Sequence, residues 1–188
     1  GPLQRIFRVD AHFSRGRRVR ITTDASPYGI GGWISIDGVI IGYFFEPLGD
    51  LDEQILETWR YIADGQQVWE ALATLVAMRL WKQHWHNNRV LLTVSTDNVT
   101  ALTLIRKLRV KGKALGVISR ELALDIASST FEPDVCEHTP GVQNILADGL
   151  SRMFEPKAVY TLPPEFANVQ RCYPPTRDAG WYRSLGSP

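Results

Sequence analysis

Four acidic residues stand where acids are uncommon, at the ends or in the middle of apolar segments. Asp24 and Asp97 each follow a strand-like run, Glu70 is the only charged residue in 66–78, and Asp148 interrupts the last apolar helix-like segment. Each acid alone fits a turn, a helix cap or a surface position. Together, carboxylates in the order Asp, Glu, Asp, Asp predict a site for hard divalent cations, which prefer oxygen ligands.

The surroundings of three of these acids strengthen that interpretation. Glu70 has no Lys or Arg one helical turn away on either side. Burying its charge is costly unless a cation compensates it, and a metal ion would do so. Asp24 and Asp97 follow strands that we expect to be parallel neighbours, and such strands end at the same sheet edge, where ligands bind in open α/β sheets.

Hydrophobic periodicity predicts the elements that position these acids. Three strands are expected at 19–24, 29–36 and 39–45, with Asp37-Gly38 as the hairpin turn between the last two. Further strands are expected at 89–96 and 132–138, and helices at 66–84, 98–108, 113–128 and 142–153, with a short helix within 51–62. This order predicts an α/β fold with a five-stranded mixed sheet, three antiparallel strands then two parallel, and helices on both faces.

Composition bounds the class of protein. The chain has 188 residues, of which 44% are hydrophobic and 22% charged, and no apolar run is long enough to suggest a membrane span. Cys136 and Cys172 lack metal-ligand spacing, so a reducing intracellular compartment is expected. Gly1-Pro2 resembles a protease-cleavage remnant, and we expect a fragment of a longer protein. We predict a basic N-terminal extension (1–17), one domain (18–154) and a Pro-rich C-terminal tail (155–188).

Charge is unevenly distributed, although its net value is only +1. Residues 5–20 and 106–113 are basic, whereas 46–64 is acidic. Such segregation is typical of proteins with a polyanionic partner, and a solvated surface is the alternative interpretation of either basic run.

Several short motifs resemble those of the RNase H domain in retroelement reverse transcriptases, Ty3-like or DIRS-like, over about residues 18–154. The motifs are Thr23-Asp24-Ala25-Ser26, Trp69-Glu70-Ala71-Leu72-Ala73, Ser95-Thr96-Asp97-Asn98, and a block from His138-Thr139-Pro140-Gly141 through Asn144 and Ala147-Asp148 to Leu150-Ser151-Arg152. The last block is the most specific. The acidic segment 46–64 is longer than the family's usual loop, and the tail lies outside the shared domain.

The resemblance implies an RNase H-like fold and a hydrolase that cuts the RNA strand of RNA–DNA hybrids with two Mg²⁺ ions, for which Mn²⁺ can substitute. It implies Asp24 as the bridging metal ligand, Glu70 and Asp97 on one ion, and Asp148 on the other. It also implies that His138 assists proton transfer or product release.

The expected substrate, an RNA–DNA hybrid, is recognised mainly through backbone shape and the 2′-hydroxyl. The residues expected to contact it are Ser26, Asn98, Asn144, Arg106, Lys107, Arg109, Lys111 and Lys113. The resemblance further implies a reverse transcriptase polymerase domain as partner in the same polyprotein. We expect no membrane association and an intracellular, cytoplasmic location, with a virus-like particle or the nucleus as alternatives.

Two other functions fit parts of the pattern. An integrase or transposase of the same broad fold usually presents two Asp and a final Glu, whereas here the Glu comes second. A non-cleaving RNase H-like module, serving a polymerase or ribonucleoprotein as a nucleic-acid-binding domain, is the main alternative. Such modules usually lack one of the carboxylates, and this sequence has all four.

Overall fold

The computed structural model describes residues 17–62, 65–85, 90–96, 134–135, 142–157 and 159–184. Within these ranges the strands are β1 (Arg17–Ala25), β2 (Gly29–Ile36), β3 (Val39–Pro47), β4 (Val90–Thr96), β5 (Asp134–Val135) and β6 (Gln170–Arg171). The α-helices are α1 (Asp50–Leu56), α2 (Gln66–Leu80), α3 (Val142–Ser151) and α4 (Ala179–Ser184). Short 3₁₀ turns occur at Lys82–His84 and Pro164–Phe166.

The strands form one mixed sheet in the order β5-β4-β1-β2-β3-β6. β1, β2 and β3 are antiparallel neighbours, whereas β4 pairs with β1, and β5 with β4, in parallel. This is the predicted arrangement, so the α/β architecture of the RNase H-like type is confirmed. The sixth strand was not predicted: β6 adds a two-residue parallel edge strand beside β3.

The β2–β3 hairpin forms at Asp37-Gly38 as predicted. Both residues have positive φ, 50° and 84°, which suits the short turn between antiparallel strands. The Asp37 carboxylate also accepts a hydrogen bond at 2.9 Å from the backbone nitrogen of Arg18, at the start of β1. This end of the sheet is opposite to the one at which β1 ends.

Helices cover both faces of the sheet, because side chains on a strand alternate between the faces. The buried core on one face includes Ile30 and Ile34 of β2 and the apolar residues of α2. The core on the other face includes Trp33 of β2 and Leu146, Ala147 and Leu150 of α3. The sheet therefore lies between α2 and α3, as expected.

The long helix predicted at 66–84 is present as α2 followed by a 3₁₀ turn. Every residue from Val68 to Met78 is buried, in agreement with the largely apolar sequence. The strand predicted at 132–138 is described only at Asp134–Val135, and the helices predicted at 98–108 and 113–128 lie outside the described residues. No helix in the described ranges is long and apolar enough to cross a bilayer.

The Pro-rich tail packs on the sheet along much of its described length. Phe166 is fully buried on the α3 face, where its ring centroid lies 4.9 Å from that of Tyr43. The guanidinium of Arg171 lies 3.7 Å from the ring centroid of Phe45, a cation–π contact between β6 and β3. Further on, Tyr182 of α4 joins the core on the α2 face.

Candidate functional site

Asp24 lies near the end of β1, in the middle of the sheet. It pairs with Gly31 of β2, and the preceding residue, Thr23, pairs with Thr96 at the end of β4. The Thr23 hydroxyl lies 3.1 Å from the hydroxyl of Thr74, so Thr23 faces α2. By strand alternation Asp24 points toward the opposite face, and only 5% of it is exposed.

Glu70 approaches the same strand end from α2. It is 3% exposed, and its Oε1 accepts a hydrogen bond at 3.2 Å from the backbone nitrogen of Ala25, the last residue of β1. The side-chain amide of Gln66 donates to the same Oε1 at 3.0 Å and also to the Ala25 carbonyl. Gln66, one helical turn before Glu70, therefore fixes the carboxylate against the end of β1.

Asp148 approaches from α3, on the other face. Its side chain is 47% exposed, so it is the most accessible of the three acids. Its Oδ1 lies 2.8 Å from Nε of Arg152, one turn further along the chain. Asn144, one turn before Asp148, is half-buried.

Ser26 connects the turn after β1 to the helix that carries Asp148. Its hydroxyl donates to the Ser151 carbonyl at 2.7 Å and accepts from the backbone nitrogens of Tyr28 and Gly29 at 3.1 and 3.2 Å. The Ser151 hydroxyl in turn donates to the Asp148 carbonyl at 2.8 Å. Ser26 is fully buried, so its observed contacts position α3, and the predicted contact with nucleic acid finds no support in them.

A glycine sets the distance between β2 and α3. A Cβ atom added to Gly31 would lie 2.6 Å from Cβ of Leu150 and 2.8 Å from the backbone nitrogen of Ser151. Because real Cβ atoms do not approach other atoms so closely, only glycine allows α3 to lie at this depth. Since Gly31 pairs with Asp24, the same contact brings Asp148 toward Asp24.

Asp24 lies close enough to interact with both of the other acids, through a hydrogen bond with Glu70 and through the charge of Asp148. Burial, together with the charge of Asp148, raises the pKa of Asp24 from 3.8 to about 6, even though a hydrogen bond with Glu70 opposes that rise. Burial and the proximity of Asp24 raise the pKa of Glu70 well above its ordinary value.

Such a group of acids is suited to binding divalent cations. Each acid offers oxygen ligands to a hard metal, and a cation between them would relieve both the burial of charge and the mutual repulsion that raise the pKa values. In the part of the chain that is described, however, no three His, Cys, Asp or Glu side chains are arranged to hold a metal ion by themselves. The described acids thus fit part of a metal site.

The other predicted site residues cannot be placed. Asp97 directly follows β4, whose last residue pairs with β1 one position before Asp24, but it lies outside the described residues. The same is true of Asn98, His138 and the basic residues Arg106, Lys107, Arg109, Lys111 and Lys113.

Sequence reasoning missed two residues that touch the acids, Gln66 and Arg152. Both stand four positions from an acid on the same helix or at its end, Gln66 before Glu70 and Arg152 after Asp148. The i, i+4 spacing is a signal that would have found them.

A further buried acid, which the sequence did not reveal, is Asp52 of α1. Arg177 of the tail places Nε 2.9 Å from Oδ1 and Nη2 2.9 Å from Oδ2, a bidentate ion pair. The backbone nitrogen of Gly49 donates to Oδ2 at 2.8 Å, and the Tyr182 hydroxyl donates to Oδ1. Burial and the adjacent Asp52 raise the pKa of Tyr182, so this hydroxyl keeps its proton.

Part of the acidic segment 46–64 therefore has a structural role. Besides Asp52, its residues Asp50 and Glu53 form ion pairs with Arg60, which also donates to the Leu48 carbonyl at 3.0 Å. The segment is folded back on itself and joined to the tail through Arg177.

Comparison with known proteins adds no assignment, since no protein-family model and no curated protein matches the chain.

Proposed function

We propose that this chain is a metal-dependent ribonuclease H that hydrolyses the RNA strand of RNA–DNA hybrids, as part of a retrotransposon reverse transcriptase. The observation that carries the proposal is the contact of Asp24, at the end of a central strand, with Glu70 from one face of the sheet and Asp148 from the other. Glu70 follows Asp24 by 46 positions and Asp148 follows Glu70 by 78, so the three acids are far apart in the sequence. The motif resemblance names the same three acids.

The proposed metal ligands are Asp24, Glu70 and Asp148, with Asp97 as the fourth. Two Mg²⁺ ions, when bound, supply an activated water and relieve charge at the phosphorane-like transition state. The chain's own contribution is positioning: Gln66 and the Ala25 amide orient Glu70, and Ser26 joins the turn after β1 to α3. His138 is proposed to assist proton transfer or product release, a task suited to a side chain that titrates near neutral pH.

The proposed substrate contacts come from the basic run 106–113, whose Lys and Arg would neutralise phosphates and make binding salt-dependent. Asn98 and Asn144 are proposed to contact the hybrid beside the acids. The proposed partner is the polymerase domain of the same polyprotein, in an intracellular setting.

A cleavage assay on a labelled RNA–DNA hybrid with Mg²⁺ or Mn²⁺ tests this function. We expect the wild type to cut the RNA strand, and Asp24→Asn to leave no measurable activity. Asp37→Asn is the matched control, because it removes a carboxylate from the same sheet at the opposite end. Equal activity of the Asp24→Asn variant and the wild type would refute the assignment.

The same samples separate the main alternative, a non-cleaving nucleic-acid-binding module. Fluorescence anisotropy would measure hybrid binding in the presence of Mg²⁺. Tight binding without cleavage by the wild type, at any Mg²⁺ or Mn²⁺ concentration tried, would favour the binding module over the nuclease.

A further inference from the structure

Arg152, just after α3, lies between two acids. Its Nε is 2.8 Å from Oδ1 of Asp148, and its Nη1 is 3.5 Å from Oε2 of Glu155. The first distance is that of a strong charge-assisted hydrogen bond, and the second is well beyond it. The guanidinium thus pairs with both acids, closely with Asp148 and more loosely with Glu155.

Glu155 is only partly satisfied in this arrangement, although the Tyr160 hydroxyl also interacts with its carboxyl group. Its Oε2 is buried and has no hydrogen-bond partner, as judged over the described ranges. A buried carboxylate oxygen without a donor is costly, and the nearby Arg152 could supply one by moving a short way. Two positions are therefore available to one guanidinium, on Asp148 or on Glu155.

Asp148 is at the same time a neighbour of Asp24. The charge of Arg152 offsets part of the repulsion between these two acids when no metal is bound. A divalent cation at Asp148 would do the same and would repel the guanidinium from the shared oxygen. The Asp148–Arg152 pair is partly exposed, 47% and 34% for the two side chains, and pairs of this kind contribute little stability, so exchange is easy.

We propose that Arg152 is a positioning residue that holds Asp148 in the metal-free protein and transfers to Glu155 when a divalent cation binds. The inference rests on the proposed function, because it requires a metal at Asp148. Arg152 then competes with Mg²⁺ for Asp148, so the affinity for Mg²⁺ depends on Arg152 as well as on the acids.

Calorimetric titration of the chain with MgCl₂ tests the competition. Removal of the competitor in Arg152→Gln is expected to tighten Mg²⁺ binding about two- to five-fold, the range of a weak ion pair. In an Asp148→Asn background the same substitution is expected to change nothing, since the contested carboxylate is gone. Unchanged or weaker binding by Arg152→Gln, or an equal effect in both backgrounds, overturns the proposal.

Two further variants control for structural damage. Arg152→Lys keeps the competing charge and is expected to bind Mg²⁺ close to the wild-type affinity. Glu155→Gln removes the second position and is expected to weaken Mg²⁺ binding about two-fold, because Arg152 then leaves Asp148 less readily. Tighter binding by Glu155→Gln would contradict the transfer.

The outcomes also distinguish this inference from the proposed function. A wild-type chain that binds no Mg²⁺ refutes both. A wild-type chain that binds Mg²⁺ and cuts the hybrid, while Arg152→Gln and Glu155→Gln bind Mg²⁺ as the wild type does, refutes only the role of Arg152.

Discussion

Within the described residues, deeply buried acids occur in two groups, one at Asp52 and one at Asp24 and Glu70, and the groups differ in what surrounds them. Asp52 is 3% exposed and meets the guanidinium of Arg177, a backbone amide and a phenol. Asp24 is 5% exposed and meets two other carboxyl groups, Glu70 and Asp148. The charge of the first group is compensated within the fold, whereas the second group brings carboxyl groups together. Burial of an acid is therefore a weak sign of function, and the charge of its neighbours is the stronger one.

The largest expected loss of stability comes from removing the cation that pairs with Asp52. Arg177→Gln leaves Asp52 buried without its guanidinium, and we expect the free energy of unfolding to fall by about 3–5 kcal/mol. Urea denaturation measures this change, with Arg17→Gln, an exposed position at the start of β1, as the control. A variant within about 1 kcal/mol of the wild type would show that the ion pair does not stabilise the fold.

Neutralising Asp24 is expected to raise the free energy of unfolding instead of lowering it. The pKa of Asp24 rises from 3.8 to about 6 in the fold, and each unit corresponds to about 1.4 kcal/mol. Asp24→Asn should therefore raise the free energy of unfolding at pH 7 in EDTA by up to about 3 kcal/mol, and the variant should not melt below the wild type. Thermal melting in metal-free buffer is the measurement. A clear loss of stability would mean that the Asp24 charge is satisfied inside the protein.

The pH dependence of the free energy of unfolding gives a second test of the buried charge of Asp24. An acid whose pKa is raised by folding stabilises the native state while protonated, so its contribution is complete below pH 3.8 and is lost as the pH rises through about 6. Between pH 5 and pH 7 the wild type should lose about 1 kcal/mol relative to Asp24→Asn in EDTA. Urea midpoints of both proteins at the two pH values test this. A constant difference between the two proteins would argue against the raised pKa.

The smallest loss of stability is expected from removing the tyrosine hydroxyl that donates to Asp52. Tyr182→Phe removes one donor to Asp52 and leaves Arg177 in place, so the loss should be about 1 kcal/mol. Urea denaturation alongside Arg177→Gln compares the two donors directly. If the two substitutions cost the same, the guanidinium is not the principal partner of Asp52.

The sequence predicted the framework well because its signals are local. Alternation over 19–24 and the Asp37-Gly38 pair predict β1 and the hairpin, and the uninterrupted apolar stretch predicts the buried α2. The acids at Asp24, Glu70 and Asp148 were predicted from their positions relative to these elements, and the structure brings these three together. Asp97 stays a prediction.

The contacts of the tail could not be predicted, for a physical reason. β6 has two residues, too few to show any periodicity, and Arg177 reaches Asp52 across 125 positions of sequence. Nothing in the local sequence around either residue specifies the other. The Pro-rich composition predicted an extended path but not the ion pair that attaches it to α1.

The contact at Gly31 has a consequence for how the chain can change over evolution. The separation of β2 and α3 is fixed where Gly31 meets Leu150 and the backbone of Ser151, so it depends little on the sizes of side chains elsewhere in that layer. Residues of the core can then be exchanged for others of similar character without moving Asp148 relative to Asp24. The spacing of the acids is then insulated from sequence drift in the core, and the glycines at positions 29 and 31, which both lie against the end of α3, carry that constraint.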